Sequence, residues 1–460
     1  MKLAVVGGGI AGLAAAHRAV ELDPTAEVIL VEGSERTGGL LRTERTGDGF
    51  VIERGAEAIL SEKPAALELA KRVGLESRIV RTRIEARGAY IVSRGRLVRV
   101  PDGFSVVAPA SIGGLLRSPI LSPLGKLRAA MELALPRARP VPDESLAHFV
   151  RRRFGEEVLE RLAQPLAGGI YGADPEALSL RATMPRFLEL EASDRSVTLG
   201  LARRAKESPH ESASGARYGM FFSFDGGAQV LPDAVAARLG DRIRTNAPVA
   251  SIRQEHGRYR IELESGEIID ADALIVALPA YRAADLVGSI EPELTPHLRA
   301  IPYQSAATVT FAFRIEDVPH PLDAYGFVVP AIEGRPILAS TFLHAKWPGR
   351  APEGFALLRF FLGGHTRPDA PFASDDDMIA TARREARLLM GIEAEPTLVR
   401  VDRFISAMPR YVVGHLERID TIDRLVARHP RFALAGGAYR GVGIPDSVRS
   451  GEAAAAHVLG

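Results

Sequence analysis

The chain is 460 residues long, 25% charged and 46% apolar, with a formal net charge of +1. That length suits two or three domains with sizeable cores, and the charge balance offers nucleic acid no electrostatic footing. The absence of cysteine excludes disulfides, iron–sulfur clusters, thiolate nucleophiles and a redox-active dithiol.

Lys2 to Val6 is an apolar run of strand length that opens the chain with no charged and apolar leader before it, so a removable signal is not expected and the cytoplasm is the expected location. Gly7-Gly8-Gly9-Ile10-Ala11-Gly12 follows at once, then an Ala-rich helical segment from Leu13 to Glu21. In a strand–turn–helix unit the spacing Gly7-x-Gly9-x-x-Gly12 supplies a tight turn, a close backbone approach to a pyrophosphate and a close helix–strand contact. The phosphates would sit on the helix N-terminus, over the N–H groups of Ile10 and Ala11, where unpaired donors and the macrodipole favour anions. A second strand, Glu27 to Val31, ends in Glu32. A carboxylate there suits the ribose hydroxyls of the adenosine and repels a 2′-phosphate. The pattern establishes a Rossmann-type nucleotide site and leaves open whether the nucleotide is NAD or FAD.

Phe50 to Glu53 reads as a strand running into Arg54-Gly55-Ala56-Glu57-Ala58, Pro64 to Val73 as a helix, and Tyr90 to Val92 with Arg96 to Val100 as a hairpin. From Pro101 to about Arg204 the spacing is helical, with helices over 126–135, 145–154, 156–166 and 178–190. This region contains the longest uncharged apolar run, Phe104 to Leu116, which includes Pro109, stops at Arg117 and is too short to span a bilayer. The stretch 209–219 is polar and loop-like. Strands follow at 221–224, 249–253, 259–263 and 273–278, then at 307–313, 326–329, 337–342, 356–362 and 399–404, with a helix over 375–390. The chain closes on a strand, the glycine loop Gly436 to Gly443, and a helix that Asp446 is expected to cap. No second dinucleotide fingerprint is present, so dioxygen is the simpler electron acceptor than a nicotinamide. No histidine or carboxylate spacing points to a metal, and His344, His365 and His415 read as surface or core residues.

Beyond Glu32, the continuation Gly33-Ser34-Glu35-Arg36-Thr37-Gly38-Gly39-Leu40 resembles the flavin-binding segment of the amine oxidase, phytoene desaturase and protoporphyrinogen oxidase superfamily. Gly168 to Asp174, the Trp347-Pro348-Gly349-Arg350-Ala351-Pro352 block and Ala407 to Tyr411 extend the resemblance, in order along nearly the whole chain, to the FAD-dependent porphyrinogen oxidases of haem synthesis. The resemblance implies an α/β fold with an FAD-binding domain assembled from 1–80, 225–282 and 428–460. It also implies a mixed α+β substrate domain from 81–100, 205–224 and 283–427, and a helical, membrane-contacting insertion over 101–204.

It further implies non-covalent FAD held by Gly7, Gly9, Ile10, Ala11, Gly12, Glu32, Gly33, Arg36, Gly38, Gly39, Leu40, Gly55, Ala56, Glu57, Ala58, Val249, Phe404, Gly436, Val442, Gly443 and Ile444. For the substrate it implies Gly169 beside a porphyrinogen, Val328 and Trp347 sandwiching it, and Arg96 or Arg99 near its propionates. The family's arginine position falls nearest Val98 here, and Gly437 and Ser447 replace an Asn and a Cys common in the family. The implied reaction removes six hydrogens in three two-electron rounds, with three dioxygen reduced to peroxide. Coproporphyrinogen III is favoured over protoporphyrinogen IX, and a ferrochelatase is the expected recipient downstream of the product. Another flavin oxidase of the superfamily, or a non-catalytic nucleotide-binding protein, are the alternatives.

Overall fold

Five parallel strands carry the N-terminal glycine turn. The computed structural model describes residues 1–101, 103–139, 141–207 and 221–460; the stretch 209–219, expected as a loop, lies outside them. The strands run in the order Ile243–Arg244, Glu27–Val31, Lys2–Val6, Ala273–Val276, Phe432–Leu434, with Leu3 in register with both Val28 and Ala273. Their apolar sequences suit burial on both faces. One face packs the helices Ile10–Leu22, Ala65–Arg72, Val230–Leu239 and Ile444–Leu459; the other packs Ala280–Val287, Leu294–Arg299, His415–Val426 and a three-stranded antiparallel meander. The sheet is therefore assembled from N-terminal, middle and C-terminal segments, giving the α/β class expected.

A seven-stranded sheet stands beside it, in the order Leu398–Pro409, Tyr303–Arg314, Phe355–Gly363, Ile337–Phe342, Gly326–Val328, Tyr90–Ser93, Arg96–Arg99. The helix Asp375–Met390 covers one face. Ser374 caps that helix by accepting from the Asp377 N–H at 3.1 Å, and Gly391 ends it at φ +73°, the left-handed geometry glycine adopts without strain. The opposite face presents Arg359 and Phe361 toward the nucleotide-binding region and Val328 toward the helical region, whose core includes Phe149, Phe154 and Phe187 and the buried Arg153–Glu132 pair.

Several expectations change. The stretch Phe104 to Leu116 is a two-stranded turn, Phe104–Ser105 with Ala108–Pro109, and a short helix, Ile112–Arg117. Val107 and Ala108 are fully buried, so most of the run is core and only its last residues, Leu116 among them, reach the surface. Among the described residues of this region, Leu116, Leu124, Leu127, Met131, Val141 and Leu199 are exposed apolar side chains. The helix expected over 178–190 breaks into Leu180–Thr183 and Arg186–Asp194, because Pro185 lacks an N–H and disfavours helical geometry in the residue before it. A helix at Val197–Glu207 was not anticipated. The strand Phe221–Phe224 pairs with Ile59–Leu60 and Ile79–Arg81. Its Phe222 and Phe224 join the core of the nucleotide sheet. We propose that 221–224, 280–299 and 415–426 belong to the nucleotide-binding unit and not to the substrate unit. Among the described residues no helix is long and apolar enough to cross a membrane.

Candidate FAD and substrate site

The glycine turn is packed tightly at Gly7 and Gly12 and open at Gly9, the geometry a pyrophosphate cradle requires. Gly7 has φ +107°, and a Cβ on it would lie 2.6 Å from the Ala277 oxygen; a Cβ on Gly12 would lie 1.9 Å from the Gly7 oxygen. Gly9 differs, since a Cβ there would meet no atom within 4 Å among the described residues. The helix it opens has no side-chain cap, so its first N–H groups face that open space with no intrahelical acceptor. Glu32 Oε2 accepts from the Gly8 N–H at 2.6 Å, while Oε1 accepts from the N–H and hydroxyl of Ser34 at 2.8 and 2.7 Å. The carboxylate is thus oriented at the strand end, beside Gly33 and Pro248, with lone pairs left for ribose hydroxyls. Val249 follows Pro248 at the start of its strand.

From Gly9 a glycine-lined path runs away from the nucleotide turn. Gly38 donates to the Gly8 oxygen at 2.8 Å, and a Cβ on Gly39 would come within 3.3 Å of Gly9 Cα. Arg36 spends its guanidinium on the carbonyls of Thr37, Gly39 and Leu41, so it shapes this loop. Leu40 is about half exposed, and its oxygen accepts from Ala56 at 3.2 Å and would lie 1.8 Å from a Cβ on Gly55. Gly55-Ala56-Glu57-Ala58 could receive the far end of an extended cofactor; Arg359, which donates to the Gly55 oxygen at 2.8 Å, lies 5.9 Å from the centre of the partly exposed Phe404 ring, and Val442 of the C-terminal loop is also partly exposed. Gly436, at φ +131° with open space at its Cβ, and Gly443 and Ile444, opening the last helix, complete the surround. Uncapped helix N–H groups and a ribose-side carboxylate stand near one end of this set of residues, and partly exposed apolar side chains near the other, and this chemistry fits FAD.

The last helix begins at Ile444 with Gly443 as its N-cap. Asp446 does not cap it: Pro445 fills the first turn, and the Asp446 carboxylate accepts from Lys63 Nζ at 2.6 Å. That ion pair cancels a charge that would otherwise oppose the positive helix end. Gly451 lets this helix approach the first one, since a Cβ there would strike the Ala11 oxygen at 2.0 Å.

Gly169 and Val328 are brought together, a Cβ on Gly169 lying 3.4 Å from Val328 Cγ1. They form one wall, not two. Leu338, Phe361 and Val442, partly exposed, pack around it. Trp347 is not part of this wall: it is fully buried among Phe50, Ile52, Ala312, Leu343 and Leu357. Arg99 is likewise occupied, donating to the Asp323 oxygen at 2.9 Å and lying 5.0 Å from the centre of the Tyr90 ring. It also sits on the face opposite Val98, whereas Arg96 shares the face of Val98 and is exposed.

Tyr411 was not singled out by sequence. Its hydroxyl donates to the Gly437 oxygen at 2.8 Å and accepts from the Gly441 N–H at 2.6 Å, and its ring stacks on His415 at 3.8 Å. Burial drives the His415 imidazole down to about 4, so it is neutral, with Nε2 2.8 Å from the Tyr439 oxygen. The only signal for this clamp was the Pro409-Arg410-Tyr411 and Gly414-His415 pair of motifs. Tyr411→Phe removes both hydrogen bonds, each worth about 1 kcal/mol, and is expected to weaken FAD binding roughly tenfold with an unchanged fold. Titration of the apoprotein with FAD checks it, and an unaltered affinity would remove Tyr411 from the loop's support.

The family model for flavin containing amine oxidoreductases matches residues 10–459. The chain is 34% identical to the coproporphyrinogen III oxidase of Bacillus subtilis (strain 168), over 99% of this chain and 97% of that one. It is 30% identical to the protoporphyrinogen oxidase of Bos taurus, over 99% and 98%. A solved structure from Exiguobacterium sp. 255-15, provisionally described as a protoporphyrinogen oxidase, superposes with a TM-score of 0.88 at 31% identity, covering 99% and 98% of the two chains. The protein belongs to the flavin-containing amine oxidoreductase family and is an FAD-dependent oxidoreductase.

Proposed function

We propose that the protein oxidises a porphyrinogen to the porphyrin in haem synthesis, with coproporphyrinogen III preferred over protoporphyrinogen IX. The observation that carries this reading is the partly exposed apolar surface of Leu338, Phe361 and Val442 beside the Gly169–Val328 wall, with Phe361 5.3 Å from the Arg359 guanidinium that donates to the Gly55 oxygen. A flat apolar macrocycle with acidic arms needs such a surface and cations at its rim. Arg96, on the face of Val98 and Val328, is the rim cation we assign. Bound FAD supplies two-electron acceptance from a carbon centre and return of those electrons to dioxygen.

The chain's own residues do the rest. Gly55 to Ala58 and the Tyr411-held loop fix the ring's position, and the apolar wall excludes water from the reacting carbon. Loss of six hydrogens to the aromatic macrocycle takes three rounds and yields three hydrogen peroxide from three dioxygen. The product then suits a metal-inserting ferrochelatase. Peripheral membrane contact would use Leu116, Leu124, Leu127 and Met131 with Arg117 and Lys126 beside them. Flotation with anionic liposomes is expected to carry the protein upward, and protein left at the bottom excludes that contact.

The function itself is tested by oxygen uptake with porphyrin fluorescence on each porphyrinogen. Both should react without NADPH, coproporphyrinogen III with the higher kcat/KM and with three oxygen per porphyrin. Equal or reversed preference would overturn the specificity, and dependence on a nicotinamide would overturn the assignment of dioxygen as acceptor.

A further inference from the structure

Beneath Gly55 to Ala58 lies a buried ionic cluster that ties Glu57 to Lys346 and Arg359. Lys346 Nζ is 2.6 Å from Glu57 Oε1, and Arg359 Nη1 is 3.8 Å from Glu57 Oε2 while donating to the Gly55 oxygen at 2.8 Å. Arg350 Nη2 stands 3.1 Å from Glu53 Oε1. The Arg359 side chain is 2% exposed, and Arg350 and Glu53 are fully buried. The Arg359 guanidinium lies between two rings, 5.3 Å from the centre of Phe361 and 5.9 Å from that of Phe404. Among the described residues Glu57 Oε2 and Arg359 Nε have no hydrogen-bond partner.

Such a cluster is costly. Taking each ion out of water costs several kcal/mol, and an apolar packing of the same volume is often more stable. Within it Lys346, Arg350 and Arg359 face Glu53 and Glu57, and Asp402, held by Arg54 at 2.6 Å, also acts on Arg359. Burial opposes ionisation of Glu57, but Lys346 and Arg359 outweigh it and hold its carboxyl below the ordinary range. Burial pushes the Glu53 carboxyl up and the Arg350 and Arg359 guanidiniums down. These charges sit in a poorly screened interior, under Gly55, whose oxygen accepts from Arg359 at 2.8 Å.

We propose that Arg359 and Glu57 set the reduction potential of the bound flavin with opposite signs, Arg359 raising it and Glu57 lowering it. The proposal rests on the placement of the flavin ring at Gly55 to Ala58, and not on which substrate is oxidised. Net positive charge beside the ring favours the state that holds the added electrons. Phe361 and Phe404 shield Arg359 from water and keep that field strong. A cluster serving only to pin the 51–58 segment on the second sheet would have no reason to act on the potential in two directions.

The test is the flavin midpoint potential of the purified holoenzyme, measured against a reference dye during slow anaerobic reduction, with FAD content recorded for each variant. Arg359→Met is expected to shift the two-electron reduction equilibrium at least tenfold toward the oxidised state, about 30 mV. Glu57→Gln is expected to shift it by a similar factor the other way, and Arg359→Lys to lie near wild type. If Arg359→Met fails to hold FAD, Arg359→Gln, which also removes the charge but keeps a hydrogen-bond donor for the Gly55 oxygen, gives the sign for Arg359, and Glu57→Gln gives it for Glu57. An unchanged potential in FAD-loaded Arg359→Met or Glu57→Gln, or shifts of the two in the same direction, overturns the proposal. The measurement uses no porphyrinogen, so its outcome is independent of the substrate reading.

Discussion

Gly9→Val is expected to give a folded protein that has lost its yellow colour. The other glycines of the turn are held by their neighbours: a Cβ on Gly7, Gly8 or Gly12 would meet the Ala277 oxygen, Glu32 or the Gly7 oxygen at 3 Å or less. Gly9 has an ordinary φ of −66°, and its Cβ would enter empty space, so the backbone tolerates a side chain that the pyrophosphate does not. FAD affinity should fall at least about 100-fold, on the order of 3 kcal/mol, while far-ultraviolet circular dichroism stays that of the apoprotein. Gly12→Val, by contrast, should fail to fold. Normal FAD content in Gly9→Val would move the phosphates elsewhere.

Trp347→Ala is expected to destabilise the protein by about 3–5 kcal/mol, the usual cost of emptying a large aromatic site in a core, and to leave the KM for a porphyrinogen unchanged. The ring is fully buried and is flanked by Lys346 at 5.4 Å and Arg350 at 6.0 Å, whose charges are committed to Glu57 and Glu53. Urea denaturation of the holoenzyme beside steady-state kinetics separates the two readings. A raised KM with unchanged stability would restore Trp347 to the substrate wall.

That reversal marks where sequence reasoning stopped. The nucleotide turn, its two strands and Glu32 were legible because the local periodicity and the glycine spacing act within about thirty residues. The helix Asp375–Met390 was read to its ends because Ser374 and Gly391 punctuate it. Trp347 looked like part of a pocket motif because its block is distinctive. What makes the block distinctive is a pair of buried cations, and Lys346 finds its carboxylate 289 positions away. No local pattern carries that information. The same holds for Tyr411, whose partners Gly437 and Gly441 lie in another segment. It holds too for the helices Ala280–Val287 and His415–Val426, which flank the second sheet's strands in sequence yet pack on the nucleotide sheet. Asp446 was misread because an acid in a first helical turn resembles a cap, and only the Lys63 contact shows its role.

The central claim is that a porphyrinogen delivers electrons to the flavin held along the Gly9 to Ala58 path. Mixing the oxidised holoenzyme with coproporphyrinogen III without oxygen tests it most directly. The visible flavin absorbance should bleach as porphyrin fluorescence rises, and admitting oxygen should restore the colour and release peroxide. A flavin that stays oxidised with coproporphyrinogen III and with protoporphyrinogen IX, yet bleaches with an amine or a carotenoid precursor, would contradict it.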